Sequence, residues 1–535
     1  MMTSPLTINE IMYYAARHHG DAQVVSITAE EGLHRSTYAT VFKRANQLAY
    51  ALRAMGLEPG DRVATLAWND HRHLELYYGV SCAGYILHTV NPRLFAEHLV
   101  YIMNHAGDRA LFFDPMFLPL VEGIANKLPQ IEHFVVLGSN LPESKLPNLH
   151  SYEEFIAAER ETYEWPALDE NTASALCYTS GTTGNPKGVL YSHRSTVLHA
   201  YGSVMPDAMG LSRRDVILPV VPMFHANAWG IPYACPIVGA KLVMPGPKMA
   251  DGETLHQLID QERVTGALGV PTVWLVLLAY LKETGKRVPS LERTVVGGAA
   301  CPLSIMREFE ERYGVITRHA WGMTETSPLG TVNTLLPEME NWPKDERDAM
   351  RVKQGRVPFG VDLKIVDDDG AELAWDGEAF GDLKIRGFWV CDGYFRGAED
   401  SGAHDADGWF TTGDVATIDV HGYMKITDRT KDVIKSGGEW ISSIELENLA
   451  MGHPDIAEAA VIGVNHEKWS ERPLLIVVPQ DQRAIDKRGL LEWFKGKVAD
   501  WWIPDDVVVV DEIPHTATGK ISKLTLREQL RDYRF

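Results

Sequence analysis

The segment that decides the fold is Tyr178-Thr179-Ser180-Gly181-Thr182-Thr183-Gly184-Asn185-Pro186-Lys187-Gly188. Its glycines allow backbone conformations that bring N–H groups close to an anion. Its serine and threonine hydroxyls supply further donors, and its lysine adds a positive charge. Backbone and hydroxyl donors around a cation suit a chain of phosphates. The segment therefore predicts a polyphosphate-binding loop, with a polar surface turn as the simpler alternative.

This loop does not match the P-loop signature, which requires GxxxxGK followed by Ser or Thr. Counting from Gly181, the position of the second glycine is occupied by Pro186, and Gly188 follows the lysine. The hydroxyl that would hold magnesium in that arrangement is missing. The sequence therefore disfavours a P-loop kinase or ATPase.

Helical and strand patterns alternate on the N-terminal side of the loop. Residues 38–55 place apolar side chains at helical spacing, and residues 73–82 form a second helical pattern. Residues 62–68, 109–113 and 133–137 are short apolar runs of strand length. Strands that alternate with helices in this way indicate parallel α/β layers.

The pattern changes after residue 356. Short alternating runs such as 361–366 are separated by Asp-Gly and His-Gly turns, which indicates antiparallel β structure. A smaller α/β pattern returns after residue 431, with strands expected at 458–464 and 474–478. The polar stretch 428–432 is the best candidate for a domain boundary.

The resulting prediction is an α/β protein with two domains. Residues 1–430 form a large N-terminal domain of stacked α/β layers plus a β-barrel-like part. Residues 431–535 form a small, mobile C-terminal α+β domain. A short polar connection would let two rigid bodies reorient without drifting apart.

Composition excludes several classes of protein. The 535 residues are 45% hydrophobic and 23% charged, which is ordinary for a globular chain. The formal charge is 51 − 72 = −21, so nucleic acid is not expected as a main partner. The five cysteines show no CxxC spacing, which argues against a zinc site or a disulfide framework. With neither a signal-peptide pattern nor an apolar stretch of about 20 residues, we expect a cytoplasmic protein without an integral membrane segment.

The loop resembles the phosphate loop of the adenylate-forming superfamily, which includes acyl-CoA synthetases, luciferases and peptide-synthetase adenylation domains. Six further segments follow in that family's order. They are GGAACP at 297–302, WGMTET at 321–326, WFTTGD at 409–414, DRTKD at 428–432, KSGGE at 435–439 and PHTATGK at 514–520. The resemblance covers the chain from about residue 10 to its end.

The resemblance implies a two-step reaction that uses ATP, Mg²⁺ and coenzyme A. A carboxylate attacks the α-phosphorus of ATP to give an acyl-adenylate and pyrophosphate, and the CoA thiol then displaces AMP. The chain looks most like medium-chain fatty acyl-CoA synthetases, with ligases for 3-(methylthio)propionate or another short-chain acid as the alternative. Two rivals stay open, namely a carrier-protein acceptor in place of CoA and a nucleotide-binding regulator that has lost catalysis.

The resemblance also implies the catalytic residues, which are Lys520, Glu325, Thr179 and His225. Lys520 would bridge the carboxylate and the α-phosphate, two anions that repel each other. Glu325 would hold Mg²⁺ together with Thr182, since hard oxygen ligands suit this ion. Without the neighbouring motifs, Glu325 would be read as a helix cap and Lys520 as a solvated surface lysine.

The implied nucleotide and CoA sites draw on most of the motifs. Asp414 can accept hydrogen bonds from the ribose hydroxyls, small residues after Gly297 leave room for adenine, and Trp321 could form the opposite wall. The implied cofactor-binding set comprises Ser180, Gly181, Thr182, Thr183, Gly184, Lys187, Gly298, Ala299, Ala300, His319, Ala320, Trp321, Gly322, Met323, Thr324, Asp414, Ile426, Arg429, Lys435, Gly437, Gly438, Glu439 and Trp440.

The acyl pocket is expected at residues 221–230. Relatives that activate amino acids usually carry Asp where His225 stands, so a simple carboxylic acid is favoured here. His225, Trp229 and Gly297 are the implied substrate-binding residues. Lys431 occupies the family's hinge position, and the Gly437-Gly438 loop would line the CoA tunnel. Relatives are often dimers, so we expect a homodimer.

Overall fold

The structure is a computed structural model that describes residues 1–30, 32–179, 185–397, 402–436, 439–480, 483–515 and 521–535. The α-helices span Ile8–His18, Tyr38–Ala54, His71–Cys82, Ala96–Ala106, Leu118–Ile124, Tyr152–Ala157, His193–Val204, Ile231–Val238, Gly252–Glu262, Pro271–Thr284, Leu303–Glu308, Lys344–Arg351, Ser443–Met451, Lys487–Trp493 and Lys523–Gln529.

The strands are numbered in chain order. They are β1 Gln23–Thr28, β2 Gly32–Thr37, β3 Arg62–Leu66, β4 Ile86–Thr89, β5 Asp108–Phe113, β6 His133–Val136, β7 Leu149–Ser151, β8 Ala173–Tyr178, β9 Gly188–Ser192, β10 Val216–Pro219, β11 Lys241–Met244, β12 Gly266–Gly269, β13 Arg293–Val296, β14 Ile316–Gly322, β15 Leu329–Val332, β16 Val361–Val366, β17 Phe380–Gly387, β18 Phe410–Ile418, β19 Met424–Arg429, β20 Ile434–Ser436, β21 Glu439–Ile441, β22 Ile456–His466, β23 Ser470–Pro479 and β24 Asp506–Val509.

Two large, mostly parallel sheets form the N-terminal part. One has the order β7-β6-β5-β3-β4-β8-β9, and the other has the order β15-β14-β13-β12-β10-β11-β1-β2. Antiparallel pairs occur only at their edges among the described strands, at β8–β9, β1–β2 and β14–β15. The predicted α/β class and its parallel layers are confirmed.

The helix His71–Cys82 contacts strands of both large sheets, and every one of its residues is buried. Asp70 caps it by accepting a hydrogen bond from the N–H of His73 at 2.9 Å. Its charged residues stay buried because they are paired: Arg72 with Glu153 at 2.8 Å, and Glu75 with Arg44 at 2.7 Å. This helix is the central layer of the core.

Two smaller sheets complete the fold. Strands β16 to β19 form a four-stranded antiparallel sheet in the region predicted to be β-barrel-like. Strands β20 to β24 form a separate sheet that contains both strands predicted at 458–464 and 474–478. The domain division at residues 430 and 431 stays a prediction. Within the described ranges, no helix is both long and apolar enough to cross a membrane.

Candidate active site

The predicted phosphate loop lies between antiparallel strands β8 and β9. At its base, the N–H of Thr179 donates to the carbonyl of Lys187 at 2.9 Å. The N–H of Lys187 donates in return to Thr179 Oγ1 at 3.1 Å. The rest of the predicted loop set, Ser180, Gly181, Thr182, Thr183 and Gly184, lies outside the described residues. The two ends of the loop are thus joined by backbone and hydroxyl bonds.

Glu325 lies beside the base of this loop and is only 5% exposed. The phenol of Tyr394 donates to Glu325 Oε1 at 2.7 Å, and the N–H of Cys391 donates to the Glu325 carbonyl at 2.8 Å. The ammonium of Lys187 lies 4.7 Å from the centre of the Tyr394 ring. Tyr394 therefore connects the loop lysine to the predicted metal ligand, a role that nothing in its local sequence had indicated.

The Tyr394 phenol is a stable donor in this arrangement. Burial, together with the nearby charge of Glu325, raises the pKa of Tyr394 well above its usual value. The phenol therefore stays protonated and holds one oxygen of the carboxylate in a fixed position. The hydroxyl of Tyr191 also donates to the carbonyl of Thr324 at 2.7 Å, which fixes the backbone directly before Glu325.

The described residues contain no group of three or more His, Cys, Asp and Glu side chains that could hold a metal by themselves. Magnesium, however, commonly binds through one or two carboxylates plus the phosphates of a substrate. The single buried carboxylate of Glu325, next to a phosphate loop, fits that kind of site.

Asp414, Trp321 and Arg429 form a second cluster. Trp321 Nε1 donates to Asp414 Oδ2 at 2.9 Å, and Arg429 Nε lies 2.8 Å from Asp414 Oδ1. Asp414 in β18 faces Arg429 in β19 in the strand register, which places the two side chains together. Asp414 is 2% exposed, and an ionised carboxylate accepts hydrogen bonds at up to about four lone-pair sites.

The predicted adenine wall follows β13. Gly297 is packed so closely that a Cβ there would stand 3.1 Å from Trp229 Cη2. Gly298 has a φ of +80°, which favours glycine, and it leads into the exposed Ala299 and the half-buried Ala300. This stretch therefore offers an open backbone surface to a flat ring.

His319 supports this wall from behind. Its Nδ1 lies 2.9 Å from the carbonyl of Val352, and its Nε2 accepts from the N–H of Cys301 at 3.3 Å. Burial lowers the pKa of His319 to about 4, so the ring is neutral near pH 7. Among the other predicted residues on this strand and the turn after it, Ala320, Gly322 and Met323 are half-buried and Thr324 is buried.

Ile426 lies on β19, the strand that also carries Arg429. Its N–H donates to Gln354 Oε1 at 2.6 Å. Gln354 was not among the predicted residues. The Gln354 side chain extends from the segment before β16 to β19, at the edge of the predicted nucleotide site. This contact joins residues that are distant in the chain, so it forms only on folding.

The predicted acyl wall contains an unusual backbone segment. Ala226, Asn227, Ala228 and Trp229 have φ values of 41°, 53°, 48° and 57°, which is a left-handed turn of four non-glycine residues. Each such residue costs about 1–2 kcal/mol relative to a right-handed conformation. Strain of this kind is typical of functional sites, where the surrounding packing maintains it.

Packing around Asn227 holds this turn in place. Asn227 Oδ1 accepts from the hydroxyl of Tyr77 at 3.2 Å and from Cys177 Sγ at 3.4 Å. Trp229 at the end of the turn is 8% exposed and covers Gly297, so the two predicted substrate residues meet. His225, directly before the turn, is half-buried.

The predicted C-terminal residues are described only in part. Lys431 follows β19, and burial lowers its pKa. Lys435 lies in β20, where its N–H donates to Glu471 Oε2 at 3.0 Å. Glu439 and Trp440 lie in β21, whereas Gly437, Gly438 and Lys520 lie outside the described residues.

Comparisons with known proteins identify the family. Residues 13–395 match the family model described as AMP-binding enzyme, and residues 445–520 match the AMP-binding enzyme C-terminal domain. The 3-methylmercaptopropionyl-CoA ligase of Ruegeria pomeroyi is 56% identical over 534 residues, covering 99% of this chain and 98% of the relative. The medium-chain-fatty-acid–CoA ligase of Ectopseudomonas oleovorans is 52% identical over 534 residues, covering 99% of this chain and 97% of the relative.

A solved structure agrees in overall shape. The crystal structure of the anthranilate CoA ligase AuaEII in complex with anthranoyl-AMP has a TM-score of 0.88 and 26% identity, covering 99% of this chain and 98% of that one. The predicted superfamily and the predicted enzyme class are therefore confirmed. The chain belongs to the AMP-binding enzyme family, and it is an acyl-CoA synthetase.

Proposed function

We propose that this acyl-CoA synthetase acts on an aliphatic carboxylic acid of medium chain length. A carboxylate oxygen attacks the α-phosphorus of ATP, and pyrophosphate leaves to give the acyl-adenylate. The CoA sulfur then attacks the acyl carbon, AMP leaves, and the thiol proton passes to solvent. The observations that support the proposal are the pairing of Asp414 with Trp321 and Arg429, and the contact of buried Glu325 with Tyr394, whose ring lies beside Lys187 of the phosphate loop.

Each group has a proposed part in this scheme. Asp414 and Arg429 hold the ribose, the backbone after Gly297 holds adenine, and Lys187 with Thr179 supports the phosphates. Glu325 and Thr182 would hold Mg²⁺, which supplies positive charge to the phosphates when bound. Lys520 places a cation between the two anions in the first step. Lys431 serves as the hinge between domains 1–430 and 431–535, and residues 437–440 with Lys435 line the CoA tunnel.

The residues of the acyl wall favour an uncharged aliphatic tail. His225 stands where a carboxylate would be needed to pair with an amino acid's ammonium group. Trp229 fills the space beside Gly297, which limits how deep a tail can extend. A second candidate substrate is 3-(methylthio)propionate, because the Ruegeria pomeroyi relative at 56% identity carries that activity in its name. A homodimer and a cytoplasmic location stay predictions.

The test is an AMP-release assay with purified protein, ATP, Mg²⁺ and CoA. The panel holds straight-chain acids from about two to sixteen carbons together with 3-(methylthio)propionate, since the length of the acyl tail separates the candidates. We expect AMP and pyrophosphate in equal amounts, with an optimum at medium chain length. Formation of ADP, or no turnover with any acid, would contradict the proposed function.

Replacing Trp229 with alanine should move the preferred acid to longer chains. Removing the indole opens the space beside Gly297, and each methylene that gains an apolar contact changes kcat/KM by about ten-fold or more. The measurement is kcat/KM across the acid panel, with the half-exposed Trp375→Ala as the matched control. An unchanged length profile would show that Trp229 does not limit the pocket.

Replacing Tyr394 with phenylalanine should raise the Mg²⁺ concentration needed for half-maximal pyrophosphate exchange by about ten-fold. The phenol that orients Glu325 is lost, whereas the ring beside Lys187 is kept. A magnesium titration at saturating ATP measures the shift. A shift in ATP affinity with no change in the magnesium requirement would contradict the proposed metal role of Glu325.

A further inference from the structure

One group of buried side chains beside the acyl wall has no part in the reaction described above. Asn69, just before the helix His71–Cys82, is fully buried. Its Nδ2 donates to the carbonyl of Pro219 at 3.1 Å and to that of Val221 at 2.8 Å. Its Oδ1 accepts from the N–H of Met223 at 2.6 Å. These three bonds all go to the stretch of chain at the start of the proposed acyl wall.

Tyr77 holds the same stretch from within that helix. Its hydroxyl donates to the carbonyl of Met223 at 2.5 Å and shares its single proton with Asn227 Oδ1, which lies 3.2 Å away. Burial raises the pKa of Tyr77 well above its usual value, so the phenol stays protonated. Side chains at this helix therefore hold both backbone polar groups of Met223, the N–H through Asn69 and the carbonyl through Tyr77.

Asn227 connects these contacts to the left-handed turn. Its φ is 53°, in a region that asparagine tolerates better than most other non-glycine residues, and it is 3% exposed. Besides the Tyr77 hydroxyl, its Oδ1 accepts from the thiol of Cys177 at 3.4 Å. Further along the turn, Trp229 stands so close to Gly297 that a Cβ there would lie 3.1 Å from Trp229 Cη2. The place of Trp229 therefore depends on how Asn227 is held.

We propose that Tyr77 is a positioning residue for the choice of acid, because its hydroxyl fixes the turn that places Trp229. This inference rests on the proposed function, which assigns the acyl tail to this wall. Tyr77 is fully buried, so it acts through Met223 and Asn227 and not by touching the acid.

The strain of the turn explains why one hydroxyl has this effect. Each left-handed residue at 226–229 is disfavoured by itself and persists only where the surrounding contacts maintain it. Without the Tyr77 hydroxyl, the Met223 carbonyl and Asn227 lose a partner and the turn can relax. A shift of about 1 Å in a group that positions a substrate is enough to change rates by up to about 100-fold.

The test measures kcat/KM of Tyr77→Phe across the straight-chain acids. We expect the ratio of kcat/KM for the preferred acid over that for the acid two carbons longer to fall by about three- to ten-fold relative to the native enzyme. The KM for ATP should not change, because neither Met223 nor Asn227 belongs to the proposed nucleotide site.

The matched control is Tyr38→Phe. Tyr38 is also fully buried, and its hydroxyl donates to a backbone carbonyl, that of Ala240, at 2.7 Å. Each variant leaves a buried carbonyl without its phenol donor, so both should lower Tm. Only Tyr77→Phe should change the ratio between the acids, which separates positioning from a loss of stability.

A second variant, Asn227→Gly, removes the side chain that Tyr77 contacts, and glycine keeps the left-handed conformation available. The change in ratio caused by Tyr77→Phe should be smaller in the Asn227→Gly background than in the native one, because the two residues act together.

The inference would be overturned by an unchanged ratio in Tyr77→Phe, by an equal loss for every acid, or by the same fall in ratio in Tyr38→Phe. Equal effects of Tyr77→Phe in the two backgrounds would also overturn it. All of these outcomes leave the proposed function standing, which fails only if no acid in the wider panel yields AMP.

Discussion

Replacing Lys520 with alanine is expected to reduce acyl-adenylate formation by at least about 10² to 10³-fold. The carboxylate and the α-phosphate are both anionic, and they must approach within bonding distance during the first step. A cation placed between them lowers the free energy most in the transition state, where their charges are closest. The second step needs no such cation, because its nucleophile attacks an acyl group that is already activated.

The two half-reactions can be measured separately. Acid-dependent pyrophosphate exchange reports the first step, and CoA consumption from supplied acyl-adenylate reports the second. The control is Lys495→Ala, which removes a C-terminal lysine that pairs with Glu492 at the surface at 2.7 Å. Equal loss of both half-reactions in Lys520→Ala would contradict the role proposed for Lys520 in the first step.

Replacing Asp414 with alanine is expected to raise the KM for ATP by about 10- to 100-fold. The change removes the proposed acceptor for the ribose and leaves Trp321 Nε1 and Arg429 without their shared partner. Loss of one hydrogen bond to a charged group costs about 1.5–3 kcal/mol, which corresponds to ten-fold or more. Arg429 is 42% exposed, so water compensates part of its loss.

The nucleotide effect can be separated from a folding effect. Asp362→Ala on β16 of the same sheet is the matched control, since its pair with Arg386 at 3.4 Å is exposed on both sides. Calorimetric titration with ATP and the KM in pyrophosphate exchange should both shift in Asp414→Ala and not in the control. A native KM for ATP in a folded Asp414→Ala protein would show that Asp414 does not bind the nucleotide.

The sequence alone was sufficient for the family and much of the architecture. The loop 178–188 and six ordered motifs indicated an adenylate-forming enzyme, because loop chemistry depends on residues that are adjacent in the chain. Alternation at 361–366 predicted a strand that the structure contains, since a two-residue period is a local property. The strands expected at 458–464 and 474–478 are also present.

The sequence alone did not predict how completely one core helix is buried. Helix His71–Cys82 carries charged residues, yet it is buried on all sides. Its burial depends on partners such as Arg44 and Glu153, which come from other parts of the chain. Periodicity within the helix could not reveal this, because it reports only which neighbours in sequence share a face.

What the sequence determined by itself is the set of reactive side chains and the local elements that carry them. Only the tertiary structure decided how they meet: Tyr394 reaches Glu325 across 69 residues of chain, and Trp321 reaches Asp414 across 93. The left-handed turn at 226–229 likewise exists only because packing around it compensates for its strain. Contacts between distant segments depend on how the sheets stack, and no local pattern encodes that arrangement.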